Sequence, residues 1–329
     1  MNVRPLSMSW FAFSVAAFFL MLGSSQRLCG QALAAPRFFK LHFQSLGATT
    51  APVIPVGAQF ADPEDAEEID DEPSFLFEAS LRFPIKLKGK TQLFGELGHK
   101  NEFVHGFYSS EERELESLEL FQTDFSLILR HRFDPSWTLT QASSLSSRST
   151  TALDMDRNAW KFSSLAMLEK KIPHGEIGLG TIISYDQRGS IVPVFKYQRS
   201  FERGWSLDLL LPAKALVIKD LPGNARLMGG FRGSNASHFV HPGEVEIDMP
   251  GGARYRRMNV HALVAYERLL TPWLGVSTEL GVNVPLRSGL YDPADPTRVI
   301  HNLQSRVSPH LKVGLFLCLP ESFLQRMGN

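Results

Sequence analysis

Apolar residues recur at every second position along most of the chain, and this period of two limits the fold more than any other feature. Residues 121–130 show the pattern, because odd positions carry Phe, Thr, Phe, Leu and Leu, and even positions Gln, Asp, Ser, Ile and Arg. Only Thr123 and Ile128 depart from it. Successive side chains of a strand point to opposite faces, so each such segment has one apolar and one polar face. Many such segments after an export signal predict an all-β, antiparallel, up-and-down transmembrane β-barrel, with lipid outside and a polar lumen.

The first 34 residues have the features of a cleaved signal peptide. Arg4 precedes the apolar run 10–22, in which only Ser14 is polar, and small residues follow near position 32. This run is shorter than the ~20 residues that a membrane-spanning helix needs, which argues against an anchor. Cys29 lies before the cleavage region, but its neighbours do not fit a lipoprotein signal. We therefore expect export to the bacterial outer membrane, a barrel over residues 35–320 and a short tail over 321–329.

The charge balance and the cysteine content exclude several classes of protein. The chain carries 34 basic and 34 acidic residues, and removal of Arg4 and Arg27 leaves 32 against 34, a net charge of −2. A nucleic-acid-binding protein would show a basic excess, so no nucleic-acid partner is expected. The mature chain keeps one cysteine, Cys318, and so has no internal disulfide.

Strand and loop lengths predict about fourteen strands. Short connections, expected at the periplasmic side, alternate with longer ones, expected outside, such as 47–73, 101–116, 148–158, 236–253 and 285–306. The alternation persists through the middle of the chain only if residues 205–219 break into two short strands at Leu211-Pro212. Twelve strands remain an alternative. The predicted strands are 38–46, 74–84, 90–100, 117–131, 136–147, 159–170, 174–185, 191–199, 205–211, 214–219, 225–235, 254–268, 272–284 and 307–318.

Three tryptophans share one position relative to the short turns. Trp137, Trp205 and Trp273 each open a predicted strand just after such a turn. Tryptophan prefers the membrane interface because its ring is apolar and its N–H needs a polar partner. The three residues therefore predict an aromatic girdle at one membrane edge, although three core tryptophans of a β-sandwich would give the same spacing.

The polar positions of the alternating pattern predict the lumen. Both charge signs occur among them, so these residues would either line water or pair into a network that fills the barrel. The predicted lumen-lining residues are Lys40, Glu78, Arg82, Asp124, Arg130, Lys196, Asp208, Arg226, Arg257, His261, Glu267 and Glu279.

Standard catalytic motifs are missing from the sequence. It contains no Gly-x-Ser-x-Gly elbow, no His-Glu-x-x-His and no Cys-x-x-Cys, so we expect no enzyme and no cofactor. His238, His241 and Glu244 cluster in one predicted outer loop and are weak candidates for a metal site, since imidazole and carboxylate bind transition metals. A solvated loop is the simpler interpretation.

The long predicted loop 47–73 is strongly acidic. Residues 62–72 hold eight carboxylates in eleven positions, but without the spaced ligands and the glycine of a calcium loop. Such a run is more typical of a solvated segment. Its length makes this loop the best sequence candidate for a plug or lid over the lumen.

Several stretches resemble a family of uncharacterised bacterial outer-membrane β-barrel proteins, a domain of unknown function. The resemblance covers about residues 38 to 318, and the order of the motifs carries it. It implies an outer-membrane barrel and brings no catalytic residues. The chain departs from many such barrels because it continues past its last strand instead of ending on an aromatic residue. The matching stretches are Leu81-Arg82-Phe83-Pro84, Lys88-Gly89-Lys90-Thr91 with Gly95, Pro193-Val194-Phe195-Lys196-Tyr197, Trp205-Ser206-Leu207 with Leu210-Leu211-Pro212, and Pro309-His310-Leu311-Lys312-Val313-Gly314.

These observations favour a non-enzymatic outer-membrane barrel that acts as a narrow passive channel or as a structural wall protein. Its expected partners are outer-membrane lipid and the barrel assembly machinery, and its oligomeric state is open. One alternative is a membrane-embedded enzyme of the deacylase type, which would hold a Ser, a His and a carboxylate in contact inside the barrel. The other is a soluble secreted β-sandwich that binds a ligand, which would bury Phe75, Phe77 and Phe83 against a second sheet.

Overall fold

The computed structural model describes residues 37–48, 73–87, 89–108, 115–186, 188–242, 251–295, 297–302 and 307–318. The predicted signal peptide, the acidic run 62–72, Glu244 and the tail 321–329 lie outside these residues. The described chain is almost entirely β-structure, and none of its helices is long and apolar enough to cross a membrane.

Fifteen strands are seen in the described ranges. They are separated at one end by short turns and at the other mostly by longer connections, the exceptions being the brief links β7–β8 and β9–β10. Two short 3-10 turns lie at Arg157–Ala159 and Glu202–Gly204. The strands are β1 Arg37–Ala48, β2 Pro73–Lys86, β3 Thr91–Tyr108, β4 Leu115–Arg132, β5 Trp137–Ser149, β6 Trp160–Ile172, β7 Gly175–Asp186, β8 Arg188–Ser200, β9 Trp205–Leu211, β10 Lys214–Leu221, β11 Ala225–Val240, β12 Ala253–Leu269, β13 Leu274–Tyr291, β14 Val299–Asn302 and β15 Ser308–Cys318.

Fourteen of these strands close into one barrel. Each strand from β1 to β13 pairs antiparallel with the next, β13 pairs with β15, and β15 pairs with β1. Strand β14 pairs only with the far end of β13, outside the ring. The predicted fold class and the count of fourteen are confirmed, whereas a twelve-stranded barrel and a two-sheet sandwich do not describe this closed sheet.

The register separates an apolar face from a polar face around the ring. Phe43 lies opposite Phe77 on one side and Val313 on the other, and all three side chains are exposed on the outer surface. The rings of Phe43 and Phe75 stack at 5.6 Å. A soluble monomer rarely exposes a continuous apolar belt of this kind, which is what a lipid-facing wall requires.

Strands are longer than predicted at the end with the long connections, called here the outer end. β3 runs to Tyr108, β11 runs to Val240, and β13 continues to Tyr291 and pairs with β14, all inside stretches expected to be loops. The alternating pattern stops at the ends of β11 and β13 because both faces are covered there. Residues 237–240 of β11, for example, are buried in succession. Sequence periodicity marks the half-exposed part of the wall and misses the part buried on both sides.

Strands β9 and β10 are much shorter than their neighbours. They have seven and eight residues, and the break between them falls at Leu211-Pro212 as predicted. At ~3.3 Å per residue and a tilt of ~40°, seven residues rise about 18 Å, against an apolar band of about 25 Å. This hairpin therefore stops short of the outer end.

We expect Phe125→Arg to destabilise the barrel far more than Ser126→Arg. Phe125 is exposed on the outer face of β4, and Ser126 is the next residue, so its side chain points to the opposite face. An arginine facing lipid near the midplane costs about 2–4 kcal/mol, whereas a lumen position tolerates the charge. Urea unfolding of the purified variants in lipid vesicles measures both costs.

Equal losses at the two positions would contradict the assignment of faces. Gln122, on the same inner face, is a poorer control, because its amide donates a hydrogen bond of 2.6 Å to Asp124.

Candidate functional site

The polar face of the sheet gathers the predicted lumen residues on one side of the wall. Register through all fourteen strands places the twelve predicted residues on the face opposite Phe43 and Phe77. Their role as a water-filled lining stays a prediction. What the structure adds is that they meet one another in defined groups.

Glu78 and Glu279 form the centres of two of these groups. Glu78 accepts a hydrogen bond of 3.2 Å from Lys312 and lies 3.8 Å from Lys100. Glu279 accepts one of 2.9 Å from Arg232 and lies 2.8 Å from Nε2 of His310. Each of these carboxylates therefore has a cationic partner.

His261 lies beside the second group without joining its carboxylate. Its ring centroid is 4.9 Å from that of His310, and its Nε2 is 2.8 Å from Oγ of Ser234. Nδ1 of His261 is buried and has no hydrogen-bond partner among the described residues. The structure therefore brings a serine and a histidine together, with Glu279 one ring away.

The remaining predicted lumen residues are distributed around the wall in smaller pairings. Lys40 is half-buried on the same face. The other contacts are Arg82 with Glu96, Asp124 with Gln122 and Ser146, Arg130 and Lys196 with Glu169, Asp208 with Gln198 and Lys214, Arg226 with Asp220, and Glu267 with Arg37.

Two ion pairs join β12 to strands that are not its neighbours in the ring. Arg257 of β12 lies 2.6 Å from Glu102 of β3, and both side chains are less than a tenth exposed. Arg254 of β12 pairs with Asp186 at the end of β7. The Arg257–Glu102 pair crosses the interior. The register of β12 places Arg254 on the face opposite Arg257, so its pair with Asp186 ties the hairpin end to the tip of β7 instead. The Arg257–Glu102 contact is an ion pair without the angle of a hydrogen bond.

An apolar cluster accompanies these ion pairs at the outer end. The end of the β11–β12 hairpin packs against β3, β4 and the end of β13, and Phe239 of β11 pairs with Ser149 of β5. The N–H of Thr150 donates to the carbonyl of Phe239 at 3.1 Å. The hairpin end therefore leans across the mouth of the barrel. The buried members of the cluster are Val104, Leu118, Leu120, Val240, Ala253, Tyr255 and Leu290.

The loop between β5 and β6 fastens the leaning hairpin on its other side. Asp154 lies 2.5 Å from Nε2 of His241, just beyond the end of β11. Burial raises the pKa of the Asp154 carboxyl, but hydrogen bonds from Ser149, from the amide of Asp156 and from His241 outweigh it and hold the pKa below its usual value. The carboxylate therefore stays charged and bound to His241 at neutral pH.

Two cavities lie on the polar face. One of about 350 Å³ is lined by Glu78, Lys100, Glu102, Arg257 and the Ser234–His261 pair, among others. The other, of about 600 Å³, lies at the end with the short turns, called here the inner end, against His174, Glu176 and Asp208.

The metal prediction divides between described and undescribed residues. His241 contacts Asp154, His238 is buried on the inner face, and Glu244 lies outside the described residues. Among the residues that the structure describes, no three His, Cys, Asp or Glu side chains gather as a metal site requires.

The three tryptophans lie at the starts of strands at the inner end. Trp137 and Trp205 are the first residues of β5 and β9, and Trp273 directly precedes β13. The ammonium groups of Lys170 and Lys219 lie 5.3 and 4.9 Å from the ring centroids of Trp137 and Trp205. The interfacial girdle itself stays a prediction.

Sequence reasoning missed several interior residues. Glu102 was hidden because it falls in the predicted loop 101–116, and His310 and Ser234 were not separated from other polar positions. Each lies two residues from a charged residue of the inner face, namely Lys100, Lys312 and Arg232 respectively, and this spacing could have identified it.

The comparisons with known proteins return only distant likenesses. No protein-family model matches the chain, and no curated protein matches it either. Among solved structures, outer membrane phospholipase A from Escherichia coli has a TM-score of 0.33 at 10% identity, over 92% of this chain and 97% of that one. The calcium-bound dimer of the Salmonella typhi outer membrane phospholipase has a TM-score of 0.27 at 9% identity, over 87% and 91%. At these values neither likeness carries an argument about activity.

We expect Arg257→Met to lower the free energy of unfolding by about 3–5 kcal/mol, because it leaves Glu102 charged and buried without its partner. The double variant Arg257→Met/Glu102→Met should recover much of that loss. Arg298→Met is the matched control, since Arg298 is largely exposed and 3.6 Å from Asp292, and exposed pairs contribute about 0–1 kcal/mol. Denaturant unfolding in detergent micelles compares the variants, and similar losses for Arg257→Met and Arg298→Met would contradict a buried role.

Proposed function

We propose that the chain is a non-enzymatic outer-membrane protein and forms a narrow passive channel whose outer mouth is closed in this structure. The observation that supports the closure is the β11–β12 hairpin end, which packs across the mouth and joins β3, β4, β5 and β7 by apolar contacts and ion pairs. The cavity at the inner end supports a water-accessible vestibule. Outer-membrane lipid around the apolar belt and insertion by the barrel assembly machinery belong to the same proposal.

A mouth that is closed by packed side chains can open, unlike a lumen that is filled along its whole length. The interior pairs many cations with carboxylates, so ions passing through an opened mouth would meet both signs. A pore without a ring of one sign should select weakly between cations and anions.

We expect wild-type protein to show small conductance in planar bilayers, and Tyr255→Ala/Leu290→Ala to show larger conductance. Both side chains belong to the apolar cluster that covers the mouth, and truncation removes part of that cover. Val264→Ala, which faces outward from the same strand β12, serves as the control. Deletion of residues 58–72 tests the acidic loop as a second cover.

Each outcome separates the alternatives. Large wild-type conductance would contradict closure of the mouth. Absence of conductance in all variants that keep their heat-modifiable mobility on a denaturing gel would favour a structural wall protein over a channel.

A second candidate function rests on the contact between Ser234 and His261. An imidazole 2.8 Å from a hydroxyl is placed to accept its proton, which is the arrangement of an activated serine. The contact fits the deacylase alternative in part only, because Glu279 contacts His310 and leaves Nδ1 of His261 without an orienting carboxylate.

Covalent labelling by a fluorophosphonate distinguishes this candidate. If the protein is a hydrolase, the wild type should be labelled, and Ser234→Ala and His261→Gln should lose the label. Ser144→Ala is the control, because Ser144 lies on the inner face of β5, and this variant should keep the label. No labelling of folded wild-type protein would argue that the pair is structural.

A further inference from the structure

Among the residues that the structure describes, the barrel wall has an opening between β8 and β11. Residues 195–200 of β8 pair with β9, and residues 225–232 of β11 pair with β10. Nearer the outer end, no strand of the β9–β10 hairpin lies between β8 and β11. This unpaired part comprises residues 188–194 of β8 and 233–237 of β11. Among the described residues, the turn at Pro212 and Ala213 bounds the gap below, and Ser237, which donates 2.9 Å to Asp186, bounds it above. We call this gap the lateral window.

The lower part of the window lies at the depth of the outer half of the membrane. Ile183 and Tyr185 on β7 face outward beside the window and are exposed, as apolar residues of a lipid-facing belt are. The β9–β10 hairpin rises only about 18 Å of a band of about 25 Å. The gap therefore begins inside the apolar band and faces acyl chains, not water.

The edges of the window combine apolar side chains with backbone polar groups. Ile191, Val192, Leu211 and Phe231 are exposed at the rim, and Ile191 is 74% exposed. The N–H of Gly233 still reaches the carbonyl of Ala213 at 2.8 Å. The N–H groups of alternate residues point to the same side of a strand, so that of Asn235 points into the window. In lipid such groups require a hydrogen-bonding partner, because the bilayer core holds no water that could supply one.

The window leads from the lipid to the central cavity. Residues 232–236 of β11 line the cavity of about 350 Å³ as well as the edge of the window. The charges of the cavity pair internally, as Arg232 does with Glu279 and Lys312 with Glu78. The cavity therefore suits a polar group that hydrogen-bonds more than one that carries a net charge.

Val192 lies on the inner side of the window. Its register places it on the inner face, in one cross-strand row with Ile182, Leu165 and Ala142. It is nevertheless 36% exposed. An inward residue beside an open gap is reachable from the membrane, whereas Ala142 lies in a continuous stretch of wall.

We propose that the lateral window binds one lipid of the outer leaflet. Its acyl chain lies against Ile191, Leu211 and Phe231, and its polar interfacial group enters the cavity beside Ser234 and Asn235. The acyl chain gives the rim side chains apolar contact, and the polar group gives the backbone groups of the strand edges hydrogen-bond partners. This inference is independent of channel activity, because it concerns the outer half of the wall and not the mouth.

Site-directed spin labelling in phosphatidylcholine vesicles tests the proposal. Single cysteines replace Val192, Ala142 and Ile183 in a Cys318→Ala background, each carrying a nitroxide. Collision with oxygen, which concentrates in lipid, is compared with collision with a water-soluble nickel chelate. Ile183→Cys, on the outer face of β7, is the lipid-exposed control, and Ala142→Cys is the inward control. Heat-modifiable mobility confirms that each variant is folded.

The expected result is a ratio of oxygen to nickel accessibility at Val192→Cys that equals that at Ile183→Cys and exceeds that at Ala142→Cys several-fold. A ratio equal to that of Ala142→Cys, with ready access of nickel, would show a window filled by water and overturn the proposal. Protection of Val192→Cys from both reagents would show a protein segment or a second copy in the gap and would overturn it as well.

Discussion

The dominant constraint on this structure is that backbone N–H and C=O groups inside a membrane must find partners within the protein. In the described chain, a closed ladder of antiparallel pairs satisfies them everywhere except along the gap between β8 and β11, and the ladder needs the last strand, β15, to meet the first, β1. Once the ring is closed, the period of two decides which face meets lipid and which meets the interior. The apolar belt and the polar interior are thus two consequences of one hydrogen-bonding requirement.

That requirement leaves the interior of a wide barrel to be filled or hydrated. Lumen width grows with strand number, so the inner face of fourteen strands cannot pack on itself along its whole height. Here the polar side chains pair along the wall, and Arg254 and Arg257 reach strands that are not their neighbours. Such buried pairs contribute little net stability but strongly disfavour separation, which suits a contact that holds one arrangement of a hairpin across an opening.

The sequence predicts the wall far better than it predicts the outer end or the site. Strand β9 has its predicted bounds, and the proline that separates it from β10 could be recognised because proline cannot donate to a ladder. Periodicity fails for residues 237–240, which are buried on both faces, and for β14, which was hidden in a predicted loop. The partners of Arg257 and His261 were out of reach for another reason. The odd or even position of a residue in its strand fixes the face of its side chain. The contact between Arg257 and Glu102 depends instead on how the ring bends, which no local sequence pattern records.

The short β9–β10 hairpin links the two unusual features of the barrel. Because β10 pairs only with residues 225–232, the outer half of β11 is released from the wall on one side. It can then lean inward, where Phe239 meets Ser149 and the apolar cluster forms. The same lack of a neighbour leaves the edge of β8 facing a gap. A hairpin of ordinary length would fill the gap and hold β11 upright, so closure of the mouth and opening of the wall follow from one shortening. In the proposed arrangement, the shortening that lets β11 close the outer mouth also provides a lateral route to the central cavity.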